Sequence, residues 1–306
     1  MTELQELDGI GNGVEEKLHN VGIRSVNALA NSSLEELEDA GVRRAQIILE
    51  RAQNYGVPID SGEMVEAEQD NARYISTGMQ ELDAILDGGL RGGFLIGVSG
   101  EPKSGKTQFV LQMLASAADY TDGNAIYIET EAQRFQINRV KSLCRKDDSY
   151  KRIHRIQTYN PSQDADNLEL QRNSYDAIRE TFDDVSLIVV DSFQSNFRLS
   201  GKFSSRADLP ERDSIIADHL QALQSLANEF DCPVLMTLQV MGNPDQFSAG
   251  HVQIWGSVLM DHTIAHLLHL SHAKGQLREV ELKGHPALPD ASVTIKIPID
   301  APIQVA

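Results

Sequence analysis

Gly100-Glu101-Pro102-Lys103-Ser104-Gly105-Lys106-Thr107 fills the pattern G-x-x-x-x-G-K-[ST] at every fixed position. Its setting gives the pattern physical meaning. The apolar run 94–99 before it reads as a buried strand, and 107–118 after it reads as a helix that takes in Gln108. A loop so placed turns backbone N–H groups and a helix N-terminus toward an anion. Lys106 then reaches the β- and γ-phosphates of a nucleotide, and the Thr107 hydroxyl helps to hold Mg2+. A chance glycine-rich turn is the competing reading, and pattern and context together argue against it.

Working outward, Leu187-Ile188-Val189-Val190-Asp191 is an apolar strand that ends in an acid. Many parallel strands end in Asp, so the signal gains weight only beside the loop at Gly100. Paired with that loop, Asp191 is placed to bind Mg2+ directly or through water. In Tyr127-Ile128-Glu129-Thr130-Glu131, Glu131 falls just past a strand end, where ligands of open α/β sheets bind. It is the favoured group to orient and deprotonate water. Glu129 competes but is still within the strand. Further strands are expected at 125–129, 186–190 and 234–240, and a helix at 211–230 with a stripe of Ile216, Leu220, Leu223, Ala227 and Phe230. The alternation implies an α/β domain whose mainly parallel sheet is covered on both faces. Beyond Ile264 the pattern becomes strand after strand, at 264–270, 277–282 and 293–297, with a hairpin turn at His272-Ala273-Lys274-Gly275.

Residues 1–56 read as short helices. Asn12 with Glu15 marks one helix start, Ser32 with Glu35 reads as a capping box, and Gly9, Gly11 and Gly41 punctuate the turns. The polar, acidic stretch 57–73 reads as a linker, which leaves 74–306 as the α/β core.

The 306 residues carry 45 Asp and Glu against 27 Lys and Arg, a formal charge of −18, with 41 % hydrophobic residues. That composition excludes a fibre, a disordered tail and a disulfide scaffold. No apolar run has the roughly 18 residues of a membrane helix, and the N-terminus lacks a signal-peptide pattern, so a cytoplasmic protein is expected. Cys144 and Cys232 read as buried thiols. The acidity leaves nucleic acid an open question, since nucleic acid usually meets a basic footprint but the acids are spread along the chain and 198–212 is locally +2. Adaptation to high salt is one bland explanation of it.

In this order the motifs resemble the RecA/RadA recombinase family, its archaeal RadA branch in particular. Ile75-Ser76-Thr77-Gly78, followed by Leu82-Asp83 and Gly88-Gly89, resembles the family's core entry, and Ile128-Glu129-Thr130-Glu131 its I-D-T-E, whose last Glu activates water. Phe135 and Arg139 resemble F-R-P-E-R, whose second Arg packs on adenine, although one residue is inserted after Glu131 and the Pro is missing. Thr237-Leu238-Gln239-Val240 resembles T-N-Q-V, which makes Gln239 the γ-phosphate sensor. His262 keeps the position of a His that contacts the neighbouring subunit's ATP. Arg198, Arg206 and Arg212 fall in what resembles the first DNA loop, where 198–212 carries a local charge of +2. Residues 1–56 resemble the family's helix-hairpin-helix domain. The resemblance implies a RecA-like P-loop ATPase core, ATP and Mg2+ as cofactors, and single- and double-stranded DNA as partners. It implies a DNA-dependent ATPase that promotes homologous pairing and strand exchange in recombination and repair of DNA damage. The implied assembly is a homo-oligomer, filament or ring, or a hetero-assembly with a recombinase.

Four departures keep a regulatory paralogue, and more distantly a RecA-fold signalling ATPase, in view. The family's subunit-linking aromatic-x-x-Ala falls at Val57-Pro58-Ile59-Asp60, with Met64-Val65-Glu66-Ala67 as a substitute. The ATP-capping Asp is replaced by Gly284, beside Lys283. The second DNA loop, 241–256, has no Lys or Arg. Its Phe247 and Trp255 either stack on bases or pack the loop onto the core. The last hairpin has histidines, His262, His266, His269 and His272, where the family is Arg- and Lys-rich. No carboxylate or Cys completes a metal set there. A second basic run, 139–155, reads as a solvated helix face.

Overall fold

The computed structural model describes residues 3–7, 9–53, 55, 62, 66, 69, 71–160, 166–203, 205–240, 258–264, 266–283, 285 and 287–306. The expectations placed on Val57-Pro58-Ile59-Asp60, Phe247, Trp255 and Gly284 lie outside the described residues. The chain divides into two compact units, Met1–Asn71 and Ala72–Ala306.

The first unit is helical, with helices Asn12–Asn20, Val26–Ala30, Leu34–Asp39 and Ala45–Gln53. Leu4, Leu18, Leu29 and Leu37 are fully buried in its core. Two start signals shift by a residue. Gly11, not Asn12, is the cap of the first helix, and the Asn12 side chain accepts from Gln5 Nε2 at 2.8 Å. Ser33, not Ser32, caps Leu34–Asp39 by accepting from Glu36 N at 3.1 Å, while the Ser32 hydroxyl donates to Leu29 O.

In the second unit a two-stranded ribbon pairs β1 (Tyr74–Ile75) with β2 (Leu90–Arg91). The main sheet is built from β3 (Leu95–Gly100), β4 (Asn124–Glu129), β5 (Ile153–Gln157), β6 (Val185–Asp191), β7 (Val234–Gln239), β8 (His266–His272), β9 (Leu277–Lys283), β10 (Ala291–Lys296) and β11 (Gln304–Val305). Its order is β11-β10-β9-β8-β3-β7-β6-β4-β5. The strands from β8 to β5 are parallel, and β9, β10 and β11 extend the sheet antiparallel. This is the expected α/β architecture. Successive residues of β6 alternate between two cores, with Leu187 and Val189 in one and Ile188 and Val190 in the other, so the strand is apolar throughout. Each such side chain contributes about 1.5–3 kcal/mol by leaving water.

The strand β5 and the helix Asn167–Thr181 were not expected from the sequence. The basic run 139–155 is not one helix face. It crosses the helix Ile137–Leu143, a 3-10 turn and β5, and several of its charges are engaged within the unit. Arg145 donates to Gly78 O and Tyr120 OH, Arg152 to Ala118 O, and Lys141 lies over the Tyr150 ring. Among the described residues no helix is long and apolar enough to cross a membrane. Cys144 and Cys232 are free; Cys232 is buried, which pushes its thiol up to about 12, whereas Cys144 is only half-buried rather than buried as expected.

Candidate functional site

The parallel strands bring their C-terminal ends to one edge. β3 runs into the loop at Gly100, from which the helix Lys106–Tyr120 starts. The loop tolerates glycine alone at its first position. Gly100 has φ +154°, and a Cβ there would stand 2.4 Å from Leu270 O on β8. Gly105 caps the helix at φ +104°, where a Cβ would meet Ile297 Cδ1 at 2.7 Å. Ser104 is fully buried, and among the described residues its hydroxyl has no hydrogen-bond partner. A backbone cradle too tight for a Cβ, with an orphaned hydroxyl inside it, fits a phosphate ligand.

A cavity of about 460 Å3 opens over the loop, lined among others by Lys103, Lys106, Thr107, Gln108, Glu131, Asp191, Thr237 and Gln239. Lys106 Nζ donates to Gly100 O at 2.8 Å and Glu101 O at 2.9 Å. Burial lowers its pKa, against the opposing pull of Asp191 and Glu131. Asp191 is held at both oxygens. Tyr127 OH donates to Oδ2 at 2.7 Å, and Thr237 Oγ1 donates to Oδ1 at 2.5 Å. Desolvation of the Tyr127 phenol, with Asp191 beside it, pushes its pKa up and keeps it a donor. A buried carboxylate and the Thr107 hydroxyl lining one cavity are the hard oxygen donors Mg2+ takes.

The two glutamates separate cleanly. Glu129 is buried, accepting from Arg134 N at 2.6 Å and Phe135 N at 2.9 Å while pairing with Arg155, so it braces the following turn. Glu131 lines the cavity. Its Oε1 accepts from Ser192 Oγ at 3.1 Å, and its Oε2 accepts from Arg134 Nε at 3.0 Å and Nη2 at 2.5 Å.

Arg139 stands beside the loop helix. It donates through Nε to Gln108 Oε1 at 2.7 Å and through Nη1 to Ile299 O at 2.8 Å and Ala301 O at 3.0 Å, and burial lowers its pKa. Gln239 ends β7. Its backbone N–H donates to Gln194 Oε1, and its side-chain oxygen accepts from Arg198 Nη1. His262 is exposed on the helix Val258–Thr263. The expected DNA contacts are unequal: Arg206 is exposed, Arg212 is tied to Asp213 at 3.0 Å, and nearby Lys202 pairs with Asp166.

Among the described residues no group of three His, Cys, Asp or Glu is placed to hold a metal ion. His266 is buried between Phe94 and His285, and His269 Nδ1 lies 3.0 Å from Ser99 Oγ. Sequence reasoning missed Arg278. From β9 its Nε donates to Ser104 O at 2.9 Å, which fixes the loop after β3 from a residue 174 positions along the chain. Only the pairing of β8 with β3 and β9 brings it there.

Residues 68–302 match the family model described as Rad51. Over 96 % of its length the chain is also similar, at 27 % identity, to the DNA repair and recombination protein RadA of Aeropyrum pernix, of which it covers 94 %.

Proposed function

The chain belongs to the Rad51 family, and from that premise we propose that it is an ATP-dependent DNA recombinase. It binds ATP with Mg2+, binds single- and double-stranded DNA, and promotes homologous pairing and strand exchange. The observation that carries the reading is one cavity lined by Lys106, Thr107, Glu131, Asp191 and Gln239 over a glycine-restricted loop.

In this reading residues 100–107 hold the phosphates through backbone N–H groups, Lys106 spans the β- and γ-phosphates, and Arg139 borders the base. Thr107 and Asp191 hold Mg2+, which when bound offsets charge on the phosphate oxygens. Glu131 orients the attacking water and takes its proton. Gln239, at the end of β7, reads the γ-phosphate and passes that state to the DNA loops. His262, exposed on its helix, contacts the nucleotide of an adjoining subunit in an oligomer, and residues 1–56 serve as a helix-hairpin-helix DNA contact. Arg198 and Arg206 supply phosphate contacts, Arg212 a weaker one, and Phe247 and Trp255 stack on bases.

The second reading is a regulatory paralogue that binds ATP without exchanging strands. The pairing of Lys202 with Asp166 and Arg212 with Asp213 favours it, because it leaves the first DNA loop with little uncompensated charge. ATP turnover with and without single-stranded DNA, across a salt series, tests both. Stimulated turnover together with regular filaments in electron micrographs supports a recombinase. Turnover indifferent to DNA, from small rings or monomers, supports the regulator.

A further inference from the structure

Arg134 is the unexpected cation of the nucleotide cavity. It lies in the segment after Glu131 where one residue is inserted, and both of its side-chain hydrogen bonds go to Glu131 Oε2. A carboxylate whose lone pairs are occupied by a guanidinium and by Ser192 Oγ has less capacity to take a proton from water. Arg134 is nonetheless 52 % exposed at its side chain, because it also faces a second cavity. That cavity, of about 440 Å3, is lined in part by Glu131, Arg134, Tyr159, Arg198, Leu199 and Gln239. Its lining holds a second arginine, Arg198, which donates to the side-chain oxygen of Gln239. Two guanidiniums therefore face one open space, and each is tied to a residue that the proposed mechanism uses for hydrolysis. Tyr159 and Leu199, the latter 64 % exposed, add an aromatic and an apolar rim.

We propose that this second cavity takes a phosphodiester of single-stranded DNA between Arg134 and Arg198, and that in doing so it draws Arg134 off Glu131. The inference rests on Glu131 being the water-activating group. An entering phosphate offers each guanidinium a charged acceptor of matching geometry. Arg134 exchanges one anionic partner for another, while Glu131 and Gln239 are released toward the nucleotide. The rim suits a sugar and base attached to that phosphate better than free orthophosphate, which has nothing to lay on Tyr159 or Leu199. Arg134 is thus a positioning residue that holds hydrolysis back until DNA is present.

The test compares ATP turnover by the full chain, its Arg134→Gln and Arg134→Lys variants and Glu131→Gln, with and without oligothymidylate. Arg134→Gln is expected to raise DNA-free kcat roughly three- to tenfold with KM for ATP unchanged, and to bring the stimulation ratio close to one. Arg134→Lys, which keeps the charge but loses the fork, is expected between the two. DNA-free turnover that is unchanged or lower in Arg134→Gln overturns the proposal. Orthophosphate that stimulates the unaltered chain as well as oligothymidylate does overturns the phosphodiester assignment. Loss of turnover in Glu131→Gln beside an inert Arg134→Gln discards the latch and keeps the site. Full turnover in Glu131→Gln discards the reading beneath both.

Discussion

Lys106 lines the cavity over the loop at Gly100, and its replacement has a sharp expectation. On the proposed reading Lys106→Ala removes the ammonium that spans the β- and γ-phosphates, so ATP turnover should fall at least about a hundredfold in a phosphate-release assay. Gly100→Ala places a Cβ against the Leu270 carbonyl and strains a left-handed φ. It should cost at least about 2 kcal/mol, read as a lowered urea midpoint, and raise KM for ATP. His219 carries a pH prediction. Burial among Phe193, Phe197 and Tyr175 lowers its pKa to about 4. The unfolded chain therefore binds the proton first as pH falls below the ordinary 6.5, and stability is lost from there down to about 4, by on the order of 2–3 kcal/mol for this group. The variant His219→Gln should show a shallower acid limb in pH-dependent urea melts. At this scale the meeting of the loop, Asp191 and Glu131 at one cavity was legible because each stands at a strand end marked by a local pattern in the chain. The contacts of Arg278 with Ser104 and of Arg134 with Glu131 were not, since sheet register and side-chain rotamers place them.

Elements were legible where burial on both faces makes the run apolar throughout. Strands β3, β6 and β7 are apolar on both faces and stand out in the sequence. The edge strand β5 reads His154-Arg155 at its centre, because an edge needs less burial, and that mixture hid it. The helix cap at Ser33 was ambiguous for a different reason. Ser32 with Glu35 and Ser33 with Glu36 both satisfy the S-x-x-E spacing, and only the folded turn selects the second. Ser33→Ala should accordingly destabilise the N-terminal unit by about 1 kcal/mol, and Ser32→Ala by less, in a denaturant titration of the full chain followed on that unit.

For the whole molecule the charge of −18 is the governing quantity. It opposes a polyanion at long range, so the proposed binding to DNA rests on a few local cations and on salt. Arg206, exposed on its turn, should contribute more than Arg212, whose charge is shared with Asp213. Arg206→Ala should reduce the slope of log K against log salt for single strands by about 0.7, and Arg212→Ala by less. Equal slopes for the two variants would remove that distinction.

The antiparallel extension has a consequence in time. Arg278 and Ile297, far along the chain, brace the phosphate loop, while the carbonyls of Ile299 and Ala301 seat Arg139 beside the loop helix. A ribosome-bound chain that has exposed only as far as β7 holds every phosphate-loop residue but lacks the pieces that brace them. The loop therefore gains these braces only once the distal strands have joined the sheet, and on the proposed reading its nucleotide-binding shape is completed late in synthesis.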